Sequence, residues 1–95
     1  MEAAVLVRAW EENDVASLAA LSGELGYPAT AEQTARRLSQ IGANSAVLVA
    51  VDSSSGRVLG WIELQVITHL TSDPHLEICG LVVSGDARSR GIGSL

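Results

Sequence analysis

Lysine is absent from this chain of 95 residues, and its six positive charges are all arginine against eleven acidic residues. Without lysine there is no P-loop, whose lysine must reach the phosphates, and no Schiff-base chemistry. A net charge of −5 argues against nucleic acid as a partner, because phosphate neutralisation needs clustered cations. With one cysteine there is no internal disulfide, as expected for a reducing, cytoplasmic setting. The opening Met1-Glu2-Ala3-Ala4 lacks the basic n-region of a signal peptide, so none is expected. The apolar runs, such as Ala46 to Val51, are far below the ~20 residues that cross a bilayer, so no membrane partner is expected.

Apolar residues make up 47% of the chain, so it must fold around a core. Its length limits it to a single domain over residues 1–95. Val5 to Trp10 is β-prone, with Trp10 facing the core. Glu11-Glu12-Asn13-Asp14 supplies polar caps and first-turn acids. Val15, Leu18, Leu21 and Leu25 then recur at helical spacing until Gly26-Tyr27-Pro28 stops the helix. Thr30 and Gln33 form a capping box for a second helix ending near Gly42. Ala46 to Val51 reads as a strand buried on both faces. The turn Asp52 to Gly56 joins it to a strand from Val58 to Leu70, with Trp61, Glu63 and Gln65 on one face. Thr71-Ser72-Asp73-Pro74 reads as a loop, and Leu76 to Val83 as a fourth strand. The order β-α-α-β-β-β predicts an α+β fold, a mostly antiparallel sheet with helices packed on it.

The pattern that carries chemistry is Arg88-Ser89-Arg90-Gly91-Ile92-Gly93, directly after an apolar strand. A phosphate is held where several backbone N–H groups converge and side chains are missing at the contact. A helix starting there adds unpaired N–H groups and its positive dipole end. The dinucleotide fingerprint fits less well, because it needs a further glycine beyond Leu95. Elsewhere, His69, Asp73, His75 and Glu77 cluster in sequence, but no metal-ligand spacing supports a metal site. Cys79, between Ile78 and Gly80, reads as a small buried apolar residue and not as a nucleophile.

Leu76-Glu77-Ile78-Cys79-Gly80-Leu81-Val82-Val83, a short polar break and Arg88-x-x-Gly91-x-Gly93 resemble the signature of the GNAT superfamily of acetyl-CoA-dependent N-acetyltransferases. The element order and the Leu25-Gly26-Tyr27-Pro28 joint are similar as well. The resemblance implies acetyl-CoA as co-substrate and direct attack of an amine on it in a ternary complex. Backbone groups of Leu81, Val82 and Val83 would bind the pantetheine arm, and those of Arg88, Ser89, Arg90, Gly91, Ile92, Gly93 and Ser94 the pyrophosphate. An amide of Leu81 or Val82 would polarise the thioester carbonyl. Glu77 is the candidate general base, its pKa expected to rise by desolvation on an apolar strand. Tyr27 and Glu63 are candidates for the acceptor site, and the acidic balance favours a cationic small-molecule or peptide amine.

Similar proteins continue with a helix and a fifth strand. The resemblance therefore implies a partial domain, ending after the fourth strand and phosphate loop, with an apolar strand edge left open. A second copy or another chain is expected along that edge. The alternative is a non-catalytic relative that serves as an interaction module or an acyl-CoA binder.

Overall fold

A computed structural model describes residues 5–24 and 26–85. Four strands form one antiparallel sheet in the order β1 (Val5–Ala9), β2 (Ser45–Asp52), β3 (Val58–His69) and β4 (Ser72–Val83). Between β1 and β2 lie a short 3-10 turn at Glu12–Asp14, helix α1 (Val15–Glu24) and helix α2 (Ala31–Gln40). Among the described residues no helix is long and apolar enough to cross a membrane.

Local chemistry sets the helix ends. The Thr30 hydroxyl accepts from the Gln33 N–H and the Gln33 side chain accepts from the Thr30 N–H, each at 3.0 Å. This satisfies two N–H groups that the first turn of α2 leaves without helical partners. Gly26 has φ +98°, a left-handed conformation that a side chain would strain, and it follows the last turn of α1.

Both helices cover one face of the sheet. Leu18 and Leu21 of α1 and Leu38 of α2 pack on Val47, Val49, Val51, Val58 and Val82, with Trp10 and Trp61 partly buried against them. The other face holds a smaller cluster of Leu59 and Val83 with Val5 and Ala50. β2 is therefore not buried on both faces. Val47, Val49 and Val51 are buried, whereas Leu48 and Ala50 are half-buried and Ala46 is exposed. The continuous apolar run hides this alternation, because a sheet has two faces and the helices supply cover for one.

The expected loop Thr71 to Pro74 is also different. Strand pairing closes at His69 opposite Ser72, so the turn is only Leu70-Thr71 and β4 already includes Ser72, Asp73 and Pro74. Proline is tolerated there because β4 is the edge of the described sheet.

Asp14 closes the region between β1 and α1. It is 4% exposed and receives Arg8 bidentately, Nη1 to Oδ2 at 2.8 Å and Nη2 to Oδ1 at 3.1 Å. The Glu11 N–H also donates to Asp14 Oδ2, at 2.7 Å. The Arg8 hydrogen bonds hold the Asp14 carboxyl below its ordinary pKa against the opposing effect of desolvation. A depressed folded pKa contributes stability above the unfolded value and loses it as pH falls through the folded one. Asp14→Asn should therefore unfold at lower urea than the parent at pH 7, and should lose less stability than the parent below about pH 4. Asp14→Ala should cost about 1–3 kcal/mol at pH 7, because Arg8 and the Glu11 N–H lose their acceptor.

Candidate functional site

The candidate site is built around a step in the β3–β4 ladder. Glu63 lies opposite Gly80 but Leu64 opposite Ile78, so Cys79 is an extra residue in β4. Such a bulge puts two neighbours, Cys79 and Gly80, on the same side of the sheet. Trp61 pairs with Val82 and Gln65 with Glu77 on either side of the step. Glu77, Cys79, Gly80 and Val82 consequently share the helix-covered side with Trp61, Glu63 and Gln65. Leu76, Ile78 and Leu81 face the other way and are 67%, 63% and 44% exposed.

Gly80 is required by the packing here. A Cβ on it would come within 2.9 Å of Cη2 and Cζ3 of Trp61 and 3.9 Å of Glu63 Oε1. The indole thus lies directly on the bulge, with the Glu63 carboxylate beside it. Trp61 Nε1 is buried and has no hydrogen-bond partner among the described residues.

Between this floor and the helices runs a groove of about 440 Å3. Tyr27 from the α1–α2 joint and Ser22, Thr34 and Arg37 from the helices form its wall. Leu18, Leu38, Ile41, Val47 and Trp61 supply apolar lining, and Glu63, Cys79 and Gly80 complete it. The structure therefore brings together Tyr27 and Glu63, the two residues expected at the acceptor site. Tyr27 is 71% exposed, so it stands at the groove's rim and is not packed in the core.

Glu77 sits on the same side of the sheet but is not among the groove's lining residues. Its side chain is 55% exposed and its Oε1 lies 3.6 Å from His75 Nε2. The desolvation expected of an apolar strand is missing, because this stretch of β4 extends past the helices. Cys79 is likewise exposed although it shares the helix side, and its Sγ lies 3.5 Å from Gln65 Oε1. Local desolvation, then the charges of Glu63 and Glu77, push its thiol above the ordinary pKa. A thiol held protonated in this way is a poor nucleophile. His69 and His75 stack at 5.8 Å, and among the described residues no group of three or more His, Cys, Asp or Glu gathers to hold a metal.

The far edge of β4 has its own geometry. The Ser84 N–H donates to the Leu59 carbonyl at 2.8 Å, which fixes the phase of the antiparallel ladder. Alternation then turns the peptide groups of Val82 toward Trp61 and those of Leu81 away from β3. β4 ends the described sheet, so Leu81 presents its N–H and C=O along an open edge. Val83, two residues further on, turns its peptide groups in the same direction. Arg88, Ser89, Arg90, Gly91, Ile92, Gly93 and Ser94, expected to hold pyrophosphate, lie outside the described residues.

The model of the acetyltransferase (GNAT) family matches residues 6–95. The chain belongs to the GNAT acetyltransferase family. Solved GNAT-type structures share its fold. A GNAT family acetyltransferase from Staphylococcus aureus superposes with TM-score 0.83 at 19% identity, covering 95% of this chain and 70% of that one. An acetyltransferase from Trypanosoma brucei gives TM-score 0.78 at 24% identity, covering 96% of this chain and 68% of the other. Glucosamine-6-phosphate N-acetyltransferase from Arabidopsis thaliana gives TM-score 0.76 at 20% identity, covering 95% and 67%. A comparison with curated protein sequences finds no match. The GNAT sheet expected from the element order is thus present, with its helices on one face.

Sequence reasoning missed Arg37 as a groove residue and the bulge itself. Gly80 was the available signal for the bulge, since an isolated glycine in a strand often marks one. Gly80→Ala should lower the urea midpoint, losing about 1–3 kcal/mol as Trp61 is displaced. Gly23→Ala is the matched control. Nothing lies within 4 Å of its Cβ position, and it sits in α1. It should gain a few tenths to about 1 kcal/mol.

Proposed function

We propose that this chain is an N-acetyltransferase domain that passes the acetyl group of acetyl-CoA to a primary amine of a small molecule or peptide by direct attack. One observation carries this reading. The open peptide edge at Leu81 and the groove containing Glu63 belong to the two sides of a single bulged strand pair. A linear amide-bearing arm can add along such an edge as a further strand would, and the groove receives the acceptor a few residues away.

In this reading the edge peptide of Leu81 holds the pantetheine arm. Val82, turned toward Trp61, contributes packing and not edge hydrogen bonds. Backbone N–H groups from Arg88 to Ser94 take the pyrophosphate. Acetyl-CoA supplies an activated thioester. Glu63 draws the ammonium form of the acceptor toward the bulge. Glu77, exposed to water beside it, takes a proton from the ammonium through solvent; the free amine then attacks the carbonyl carbon, the carbon–sulfur bond breaks, and the departing thiolate takes up the second proton that nitrogen gives off. A cytoplasmic setting belongs to the same reading, since the exposed Cys79 thiol persists in a reducing compartment.

A second reading uses the same edge. A non-catalytic module would pair β4 with another copy or another chain, burying the exposed Leu76, Ile78 and Leu81. Calorimetry with acetyl-CoA separates the two. The enzyme reading expects saturable binding by the full chain, and its absence in a folded sample contradicts that reading. Gly91→Val should abolish the binding, since a side chain there blocks the phosphate approach. Glu77→Gln should slow thiol release with an amine panel by about 10²-fold at neutral pH while leaving acetyl-CoA affinity unchanged. Equal rates would remove Glu77 as the base.

A further inference from the structure

The groove holds two charges of opposite sign that do not neutralise each other. Glu63 enters from β3 and Arg37 from the last turn of α2. Among the described residues neither forms an ion pair or hydrogen bond, in contrast to Arg8, which is saturated by Asp14, Glu11 and the Ala9 carbonyl. Tyr27 and Thr34 add hydroxyl groups to the same wall, and much of the remaining lining is apolar.

Such a groove discriminates by charge pattern. A polycation is drawn by the overall charge of −5 but meets Arg37, exposed on the helical wall of the groove. A plain amine satisfies Glu63 and leaves the guanidinium without a partner. A ligand with an ammonium and an anionic group on an apolar skeleton can engage both. Arginine suits the anionic end, because its planar fork binds carboxylate or phosphate bidentately. The amine end is fixed by position, since Glu63 Oε1 lies beside the Gly80 bulge on the strand whose edge would hold the acyl donor.

We propose that the acceptor is an amine that also carries an anionic group, with Glu63 selecting the ammonium and Arg37 the anion. This inference rests on the acetyltransferase reading for its reaction, but not for its binding measurement. The net charge alone points to a cationic acceptor, and the local charges replace that expectation with a dipolar one.

The test is calorimetry on the full chain with 3-aminopropyl phosphate, n-propylamine and n-propyl phosphate. The bifunctional probe should bind about tenfold or more tighter than either single-charge probe, the scale of one added charge-assisted hydrogen bond. Arg37→Gln should reduce its affinity to that of n-propylamine, and Glu63→Gln to that of n-propyl phosphate. Circular dichroism confirms that both variants, which replace unpaired side chains, remain folded. Equal affinity for the three probes, indifference to both substitutions, or no binding at all overturns the proposal. Acetyl-CoA titrated separately into the same samples keeps the two readings apart. Its failure to bind counts against the acetyltransferase reading. Its binding without any probe preference counts against this inference alone.

Discussion

The β3–β4 ladder gains one residue at Cys79–Gly80, opposite Glu63, and the site is arranged around that step. In an unbroken strand Glu77 would share a face with Leu81 and Val83, and Val82 would point with Ile78. The bulge reverses the parity. It lets Val82 reach the core beneath the helices while Glu77 stays on that same side, and it sends Leu76, Ile78 and Leu81 together to the other. Gly80 accommodates the step because the Trp61 ring occupies the space of a side chain.

This arrangement depends on one-sided cover. α1 and α2 bury Val47, Val49, Val51 and Val82 and leave a groove where the joint at Tyr27 stands off from the bulge. The Arg8–Asp14 pair ties β1 to the start of the helical segment, with the Glu11 N–H as a further donor. A second groove of about 320 Å3 lies on the opposite face, lined by residues including Val7, Leu48, Ile62, Leu64, Ile78 and Leu81. The two grooves differ in kind. The helix-side one contains Glu63 and Arg37, so it can select a polar ligand. The other has no charged residue among its described lining residues and offers mainly apolar contact.

Much of this was legible in the sequence. The capping box at Thr30 and Gln33, the stop at Gly26 and the hairpin from β2 to β3 follow from local residue chemistry, and local chemistry does not depend on distant partners. The GNAT resemblance rested on a strand followed by a glycine pattern, and the family match extends over both. Other features were hidden because they are set by pairing across the chain. Ser72-Asp73-Pro74 has turn composition, yet pairing with β3 draws it into a strand. Cys79 looked like core, yet it lies exposed on a stretch of β4 that the helices leave uncovered. Glu77 looked desolvated by its apolar neighbours, yet the helices end short of it. Asp14 and Arg8 are far enough apart in sequence that only the strand-to-turn geometry reveals their contact, and Arg37 joins the groove only once α2 is packed beside the sheet.

The central claim is that the bulged strand presents the Leu81 peptide to an incoming acetyl-CoA arm while Val82 stays locked to β3. Residue-resolved amide hydrogen exchange, with and without acetyl-CoA, reads both groups at once. The account predicts that Val82 exchanges slowly in either case and that Leu81 exchanges fast alone and slowly with acetyl-CoA. Exchange at Leu81 that is unchanged by saturating acetyl-CoA would contradict it.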